Sequence, residues 1–462
     1  MKVVGSIGFS GVLCRCAVLA MVLATGHQCS KREWQPPHII FITADALRAD
    51  HLSLNGYSRQ TSPFIDAFAK EARHFSNAVT VIPKTGPSFT TVFSGRHPQQ
   101  HKVQYNPIKV PEELAILPQI LKKHGYRTAA FVSNGVLNAE RGYTRGYDTY
   151  ELFTQHDLKH LREAALAFIE QPWEQPTFLW IHIIDPHGPY KPPEEYSHFF
   201  EGDPLTRDDT RVPLEYERLE SFGPQKVLGA LPKYQRLGDE DRVSEFVRRY
   251  DAEVRYMDHL FGELIGALKQ RRLYQQSAIV FLSDHGESHT EHTYFFEHGW
   301  YAYEPTLHIP LIVKTPRESL PGTVIREQVS TLDVLPTVLV LAGMEPGSAL
   351  AGRFILEPLK EPTPVLIENS NGYPHKYQGI RYRDMKYILD VHSGFEELYD
   401  LNADPGELTN LAAEREATLA EYRRLYEELL QKTRNTSVGE PTVVEIEDER
   451  ILENLKSLGY AE

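Results

Sequence analysis

Cysteine is nearly absent from this 462-residue chain: Cys14, Cys16 and Cys29 are the only ones, all in the first thirty residues. Beyond them there is no thiol, which excludes disulfides, a thiolate metal site and a cysteine nucleophile from the body. Positive charge is also short. The formal net charge is −14, with acidic residues spread along the chain, which argues against nucleic-acid binding and requires a local basic pocket for any anionic substrate. Long apolar runs are missing too. In "MKVVGSIGFSGVLCRCAVLAMVLATGHQCSKREWQPP" the apolar stretches on either side of Arg15 each fall short of the roughly 20 residues that span a bilayer. Residues 1–29 therefore read as an export signal, which predicts a periplasmic or extracellular protein. The competing readings are a membrane anchor and lipid attachment at Cys29, for which Gly26, His27 and Gln28 make a poor processing box. There is no internal repeat and no composition typical of disorder.

What is present is an alternation. "HIIFITA" (38–44) is a short β-branched run that stops at Asp45, and similar runs recur as "RTAAFVS", "TFLWIHIID", "SAIVFLSD" and "IPLIV". Helical patterns separate them, among them "SPFIDAFAKEA", "LKHLREAALAFIE" and a long one from about Arg242 to Lys269. This predicts an α/β sheet covered on both faces, with ligands beyond the carboxyl ends of the strands. The expected organisation is a main domain over 37–345, interrupted by a Pro-, Gly- and charge-rich surface insertion at 200–240. A C-terminal subdomain over 346–435, a small antiparallel sheet with one packed helix, and a polar tail over 436–462 complete it.

Two strands end in acid: Asp45, and Asp284 followed by His285. Carboxylates at the ends of neighbouring parallel strands repel one another unless a cation or proton intervenes. Thr85 opens "TGPSFTTVFSG", a helix pattern with Pro in its first turn and Gly at its end. It is either an N-cap hydroxyl or a nucleophile placed where backbone N–H groups attract an anion. His187 lies in the stiff turn "DPHGPYKPP", and His298 closes the run "DHGESHTEHTYFFEHGW", which is not an HExxH zinc helix. Both are candidates for proton donation; a structural role is the alternative.

The ordered set "TADALRADHLSLNGYSRQTSP", "TGPSFTTVFSG", "DPHGPY", "YDAEVRYMDHLFGELIGAL", "SDHGE", "TLDVLPT" and "ELYDLNADPGELTNLA" resembles the sulfatase family of the alkaline phosphatase superfamily, as does the closing "LKSLGY". The resemblance implies a mixed, mostly parallel alkaline-phosphatase-like sheet flanked by helices, and a smaller C-terminal antiparallel sheet plus helix. Thr85-Gly86-Pro87-Ser88-Phe89 departs from the sulfatase motif, whose first residue becomes formylglycine; oxidising a threonine gives a ketone, so that chemistry is closed here. The metal-binding Asp pair of the family is reduced to Asp45-Ala46.

These departures resemble phosphoglycerol transferases and, in the metal ligands, phosphonate monoester hydrolases and phosphodiesterases. By that match Asp45, Thr85, Asp284 and His285 hold one divalent ion, Mn or Zn, with Ca or Mg as the alternatives. The expected substrate-binding residues are Lys84, Asn134 and His182, and the expected catalytic residues are Thr85, His187 and His298. The reaction implied is hydrolysis of a phosphate or phosphonate ester of a small molecule, lipid or glycan through a covalent Thr85 intermediate. A formylglycine-free sulfatase, a transferase and an inactive anion- or glycan-binding protein are the alternatives.

Overall fold

In the computed structural model, which describes residues 35–154, 158–207, 210–214, 229–317, 322–348, 350–358, 361–372 and 375–460, the apolar runs become one nine-stranded sheet. The expected leader, 1–29, lies outside the described residues, as does part of the 200–240 insertion. The strands are β1 (His38–Ala44), β2 (Arg73–Val79), β3 (Arg127–Val132), β4 (Thr149–Leu152), β5 (Thr177–Ile183), β6 (Ser277–Ser283), β7 (His308–Lys314), β8 (Thr323–Ile325) and β9 (Val329–Ser330). Their order is β9-β2-β7-β6-β1-β5-β3-β4, with β8 also paired to β2. The block from β6 to β4 is parallel, while β7 runs antiparallel to both β6 and β2. Every residue of β1, β5 and β6 is buried. This is why these strands are continuously apolar rather than alternating.

Successive side chains of β1 point to opposite faces and enter two separate cores. Ile40 and Ile42 join α1 (Pro63–Ala69), α4 (Leu158–Glu170) and α5 (Val243–Gln270) through residues such as Phe68, Leu161 and Phe261. Ile39 and Phe41 face α2 (Thr85–Ser94), α3 (Leu117–Lys123) and α6 (Val334–Leu341) through Phe89, Leu117 and Val338. Fully burying one such side chain is worth about 1.5–3 kcal/mol, so each face helps hold the strand ends in place.

The C-terminal sheet is antiparallel and four-stranded, in the order β10 (Val365–Glu368), β11 (Tyr377–Tyr382), β12 (Met385–Asp390) and β13 (Glu396–Asp400). α7 (Glu416–Arg434) covers it with Leu419, Tyr422, Tyr426 and Leu430, spaced as one helical stripe. This is the fold class expected from the sequence. The 436–462 segment carries more structure than its polar composition suggests. Thr442–Val443 pairs with Ile108–Lys109, and α8 (Glu449–Ser457) packs Ile451 and Leu455 against Val136. Among the described residues no helix is long and apolar enough to cross a membrane.

Candidate active site

Ala44 pairs with Ser283 in the parallel register of β1 and β6, so the next residues, Asp45 and Asp284, leave the sheet side by side. Both are fully buried. Asp284 Oδ1 accepts the backbone N–H groups of Ala46 at 3.3 Å and His285 at 2.9 Å. Asp45 Oδ2 accepts Asn134 Nδ2–H at 2.6 Å and lies 3.2 Å from His182 Nε2. The His182 bond is the end of a relay. Trp180 Nε1–H donates to Thr43 Oγ1 at 3.0 Å, and Thr43 Oγ1 lies 2.9 Å from His182 Nδ1. Thr43 Oγ1 also donates toward the Ile181 carbonyl at 3.4 Å; because the ionised Asp45 carboxylate only accepts, the imidazole hydrogen of His182 lies on Nε2, facing it.

Asn134 and His182 were expected to hold substrate. Their side chains contact Asp45 and orient its carboxylate, a role that adjacent chain segments could not reveal because it arises across β1, β3 and β5. The remaining oxygens, Asp45 Oδ1 and Asp284 Oδ2, have no hydrogen-bond partner among the described residues. His285 Nε2 stands 3.6 Å from the first and 3.5 Å from the second. Its Nδ1 faces the Gly286 carbonyl at 2.8 Å; a carbonyl only accepts, so Nε2 presents a lone pair. Ligand atoms of these three residues lie within 4.8 Å of one another.

Two partnerless carboxylate oxygens and an imidazole lone pair fit one divalent cation. The electrostatics agree. Burial and the neighbouring Asp45 push the Asp284 carboxyl well above its usual range. Burial also pushes Asp45 upward, but the His182 hydrogen bond and the surrounding imidazoles outweigh it and hold the group below the usual range. Burial lowers His285 to about 3 against the pull of Asp45, which keeps it in the neutral form a metal requires.

Thr85 begins α2, but it is not the N-cap. Lys84 occupies that position, and its side chain makes no capping bond. Past Thr85, the N–H groups of the first turn are engaged or missing. Gly86 N–H donates to Asn106 Oδ1 at 3.0 Å, Pro87 has no N–H, and Ser88 N–H bonds the Lys84 carbonyl at 2.9 Å. Gly86 is close-packed: a Cβ there would lie 3.1 Å from both Asn106 Oδ1 and Tyr143 Oη. The Thr85 hydroxyl points the other way, 3.3 Å from His285 Nε2.

His187 and His298 reach the same place. His187 Nδ1 lies 2.8 Å from the Gly188 carbonyl, and His298 Nδ1 lies 3.1 Å from Glu287 Oε1. Both Nε2 atoms converge on a residue that the sequence did not mark as functional, Tyr460. Its hydroxyl is 2.7 Å from His187 Nε2, 3.3 Å from His298 Nε2 and 3.2 Å from Thr85 Oγ1. Lys84 Nζ sits 4.7 Å from the centre of the Tyr460 ring. Burial lowers both His187 and His298. The other histidines of the 285–298 run serve packing: His289 meets the rings of His51 and Tyr250, and His292 stacks on Tyr303 at 3.6 Å.

Comparison with known proteins bears on this arrangement. The Sulfatase family profile matches residues 37–344, and that of the N-sulphoglucosamine sulphohydrolase C-terminal region matches 290–435. An ulvan-active sulfatase of Formosa agariphila is 24% identical over 410 residues, covering 82% of this chain and 78% of that protein. The N-acetylglucosamine-6-O-sulfatase of Bacteroides thetaiotaomicron is 25% identical over 538 residues, covering 94% of each. In fold, the phosphonate monoester hydrolase of Agrobacterium radiobacter aligns with a TM-score of 0.70 at 20% identity, over 86% of this chain and 96% of that one. The stretch matched by the first profile runs from β1 through α6 and contains every residue of the site except Tyr460; the chain belongs to the sulfatase family.

Proposed function

We propose that this sulfatase-family protein hydrolyses phosphate or phosphonate esters through a covalent ester on Thr85. One observation carries the reading: the Thr85 hydroxyl lies against His285 of the Asp45–Asp284–His285 cluster, and one oxygen, Tyr460 Oη, touches both that hydroxyl and the Nε2 atoms of His187 and His298. A divalent cation held by Asp45, Asp284 and His285 supplies, when bound, the positive charge that lowers the pKa of an adjacent hydroxyl. Thr85 Oγ1 releases its hydrogen to solvent as it attacks phosphorus, the bond to the departing alcohol breaks, and His187 or His298, having taken a proton from solvent at Nε2 when the anionic ester binds, gives that proton to the alcohol oxygen. Those imidazoles are held neutral by burial. The negative charge of an arriving ester raises them, so each becomes a proton donor only with substrate in place. Lys84 supplies the nearby cation. Water then breaks the Thr85 ester at phosphorus.

The threonine supports phosphorus over sulfur. A formylglycine hydrate expels sulfate by collapsing to its aldehyde, whereas a threonine ester has to be broken by a second attack at the central atom. The second reading, a sulfate-ester hydrolase working without formylglycine, is favoured by the relatives named as sulfatases. Those names also support a glycan ester as substrate. The leader supports export. The test is turnover of nitrophenyl phosphate, bis-nitrophenyl phosphate and nitrophenyl sulfate by the purified protein loaded with Mn or Zn. The phosphate esters are expected to be the better substrates; a strong preference for the sulfate overturns the choice of phosphorus.

A further inference from the structure

Thr85, His187 and His285 are fully buried, and His298 is 1% exposed. The group that covers them comes from the far end of the chain. Tyr460 Oη lies 3.2 Å from Thr85 Oγ1, within the roughly 3–3.5 Å at which an atom under attack stands from its nucleophile. The same oxygen contacts the Nε2 atoms of His187 and His298, the contacts that oxygens of a bound anion would make. Two groups cannot occupy one place. A phosphoryl or sulfuryl group enters only if Tyr460 leaves.

The attachment of this segment is specific but small. Gly459, at φ +76°, turns the chain inward, and a Cβ there would lie 2.4 Å from the ring of Tyr234. Asn454 Oδ1 accepts Gly135 N–H at 2.8 Å, on the loop that also holds Asn134. The apolar anchor of α8 is a satellite cluster built on Ile451, Leu455 and Val136, separate from both main cores, with Leu458 and the ring of Tyr460 reaching one of them. A short helix held by so few contacts opens locally at a fraction of the cost of global unfolding.

We propose that residues 448–460 form a strap that closes the active site from within the chain, with Tyr460 held in the place of the group to be transferred, and that substrate binding displaces it. This rests on the preceding reading to the extent that an anion must sit against Thr85. The test uses the full chain with Mn, titrated calorimetrically with orthovanadate. If the strap competes for the site, Tyr460→Ala binds vanadate about tenfold more tightly or better, because the open state no longer has to be selected from a closed population. Tyr460→Phe keeps the ring and gains much less. Equal or weaker binding by Tyr460→Ala overturns the strap and leaves the ester reading standing; binding to neither protein overturns both. In the wild-type chain, vanadate is expected to speed amide hydrogen exchange across Glu449–Ser457. Unchanged or slower exchange would mean that Tyr460 stays on the bound anion, and overturns the proposal even if Tyr460→Ala fails to fold.

Discussion

Asn134 Nδ2 donates to Asp45 Oδ2 at 2.6 Å, and this bond, with His182 at 3.2 Å, leaves Asp45 Oδ1 to meet His285 Nε2. The pair joins the loop after β3 to the end of β1. Asn134→Ala removes the shorter contact and lets the carboxylate rotate. Divalent-ion affinity is expected to fall about 10- to 100-fold, the usual loss when a group that orients a ligand is removed. Calorimetric titration of the metal-free protein with Mn or Zn measures it; unchanged affinity would show that His182 alone fixes the carboxylate.

Asp45 and Asp284 oppose each other with two buried oxygens that have no hydrogen-bond partner among the described residues. Chelation of the metal is therefore expected to lower the melting temperature of the wild-type protein. Asp284→Asn removes one of the two charges, so that variant should take up no metal by elemental analysis and show no fall on chelation. A variant that retains a full complement of metal would contradict the ligand assignment.

Thr85→Ala separates a structural hydroxyl from a reacting one. The side chain caps nothing, so the stability loss should stay below the roughly 1 kcal/mol typical of a lost cap. Ester turnover should fall by about 1,000-fold or more, since the nucleophile is gone. Thr85→Ser keeps the hydroxyl and should recover part of the rate. Denaturant unfolding and steady-state kinetics on the same samples give both numbers.

Asp258 caps α1 from α5, accepting the N–H groups of Ile65 at 2.8 Å and Phe64 at 3.1 Å. Burial nevertheless pushes its carboxyl from 3.8 up to about 7, because the two N–H groups only partly offset the desolvation. A raised carboxyl pKa means the folded protein holds a proton that the unfolded chain releases. This contribution is full below 3.8 and is lost as pH rises to about 7. The loss is on the order of 4 kcal/mol. Urea unfolding across that interval should show Asp258→Asn gaining on the wild type as pH rises. Parallel curves for the two proteins would mean that Asp258 is ionised throughout.

The central strands were legible because burial on both faces demands unbroken apolar runs. "HIIFITA" and "SAIVFLS" coincide with β1 and β6, and the acids that end them mark the site. β2 was not legible. Its sequence, RHFSNAV, mixes polar and apolar residues, and its pairing shifts register against β7 between Phe75 and Ala78. Thr85 could be picked out, but its role could not, since a threonine before a helix pattern suits a cap and a nucleophile equally. Asn134 and His182 were picked out for substrate, and their contacts with Asp45 were not foreseen. Which atom each meets depends on the alignment of three strands.

By itself, the sequence determined the kind of sheet, the acids at its carboxyl edge and the absence of thiols from the body. These follow from residue type and local period. Only the tertiary structure decided that Asn134 and His182 serve Asp45, that Lys84 rather than Thr85 is the helix cap, and that a tyrosine 375 positions away lies against the nucleophile. A contact across such a distance is set by the packing of α8 on the loop after β3. No local pattern around "SLGY" carries that information, because hydrogen bonds between distant segments are fixed by where the backbone arrives, not by neighbours in the chain.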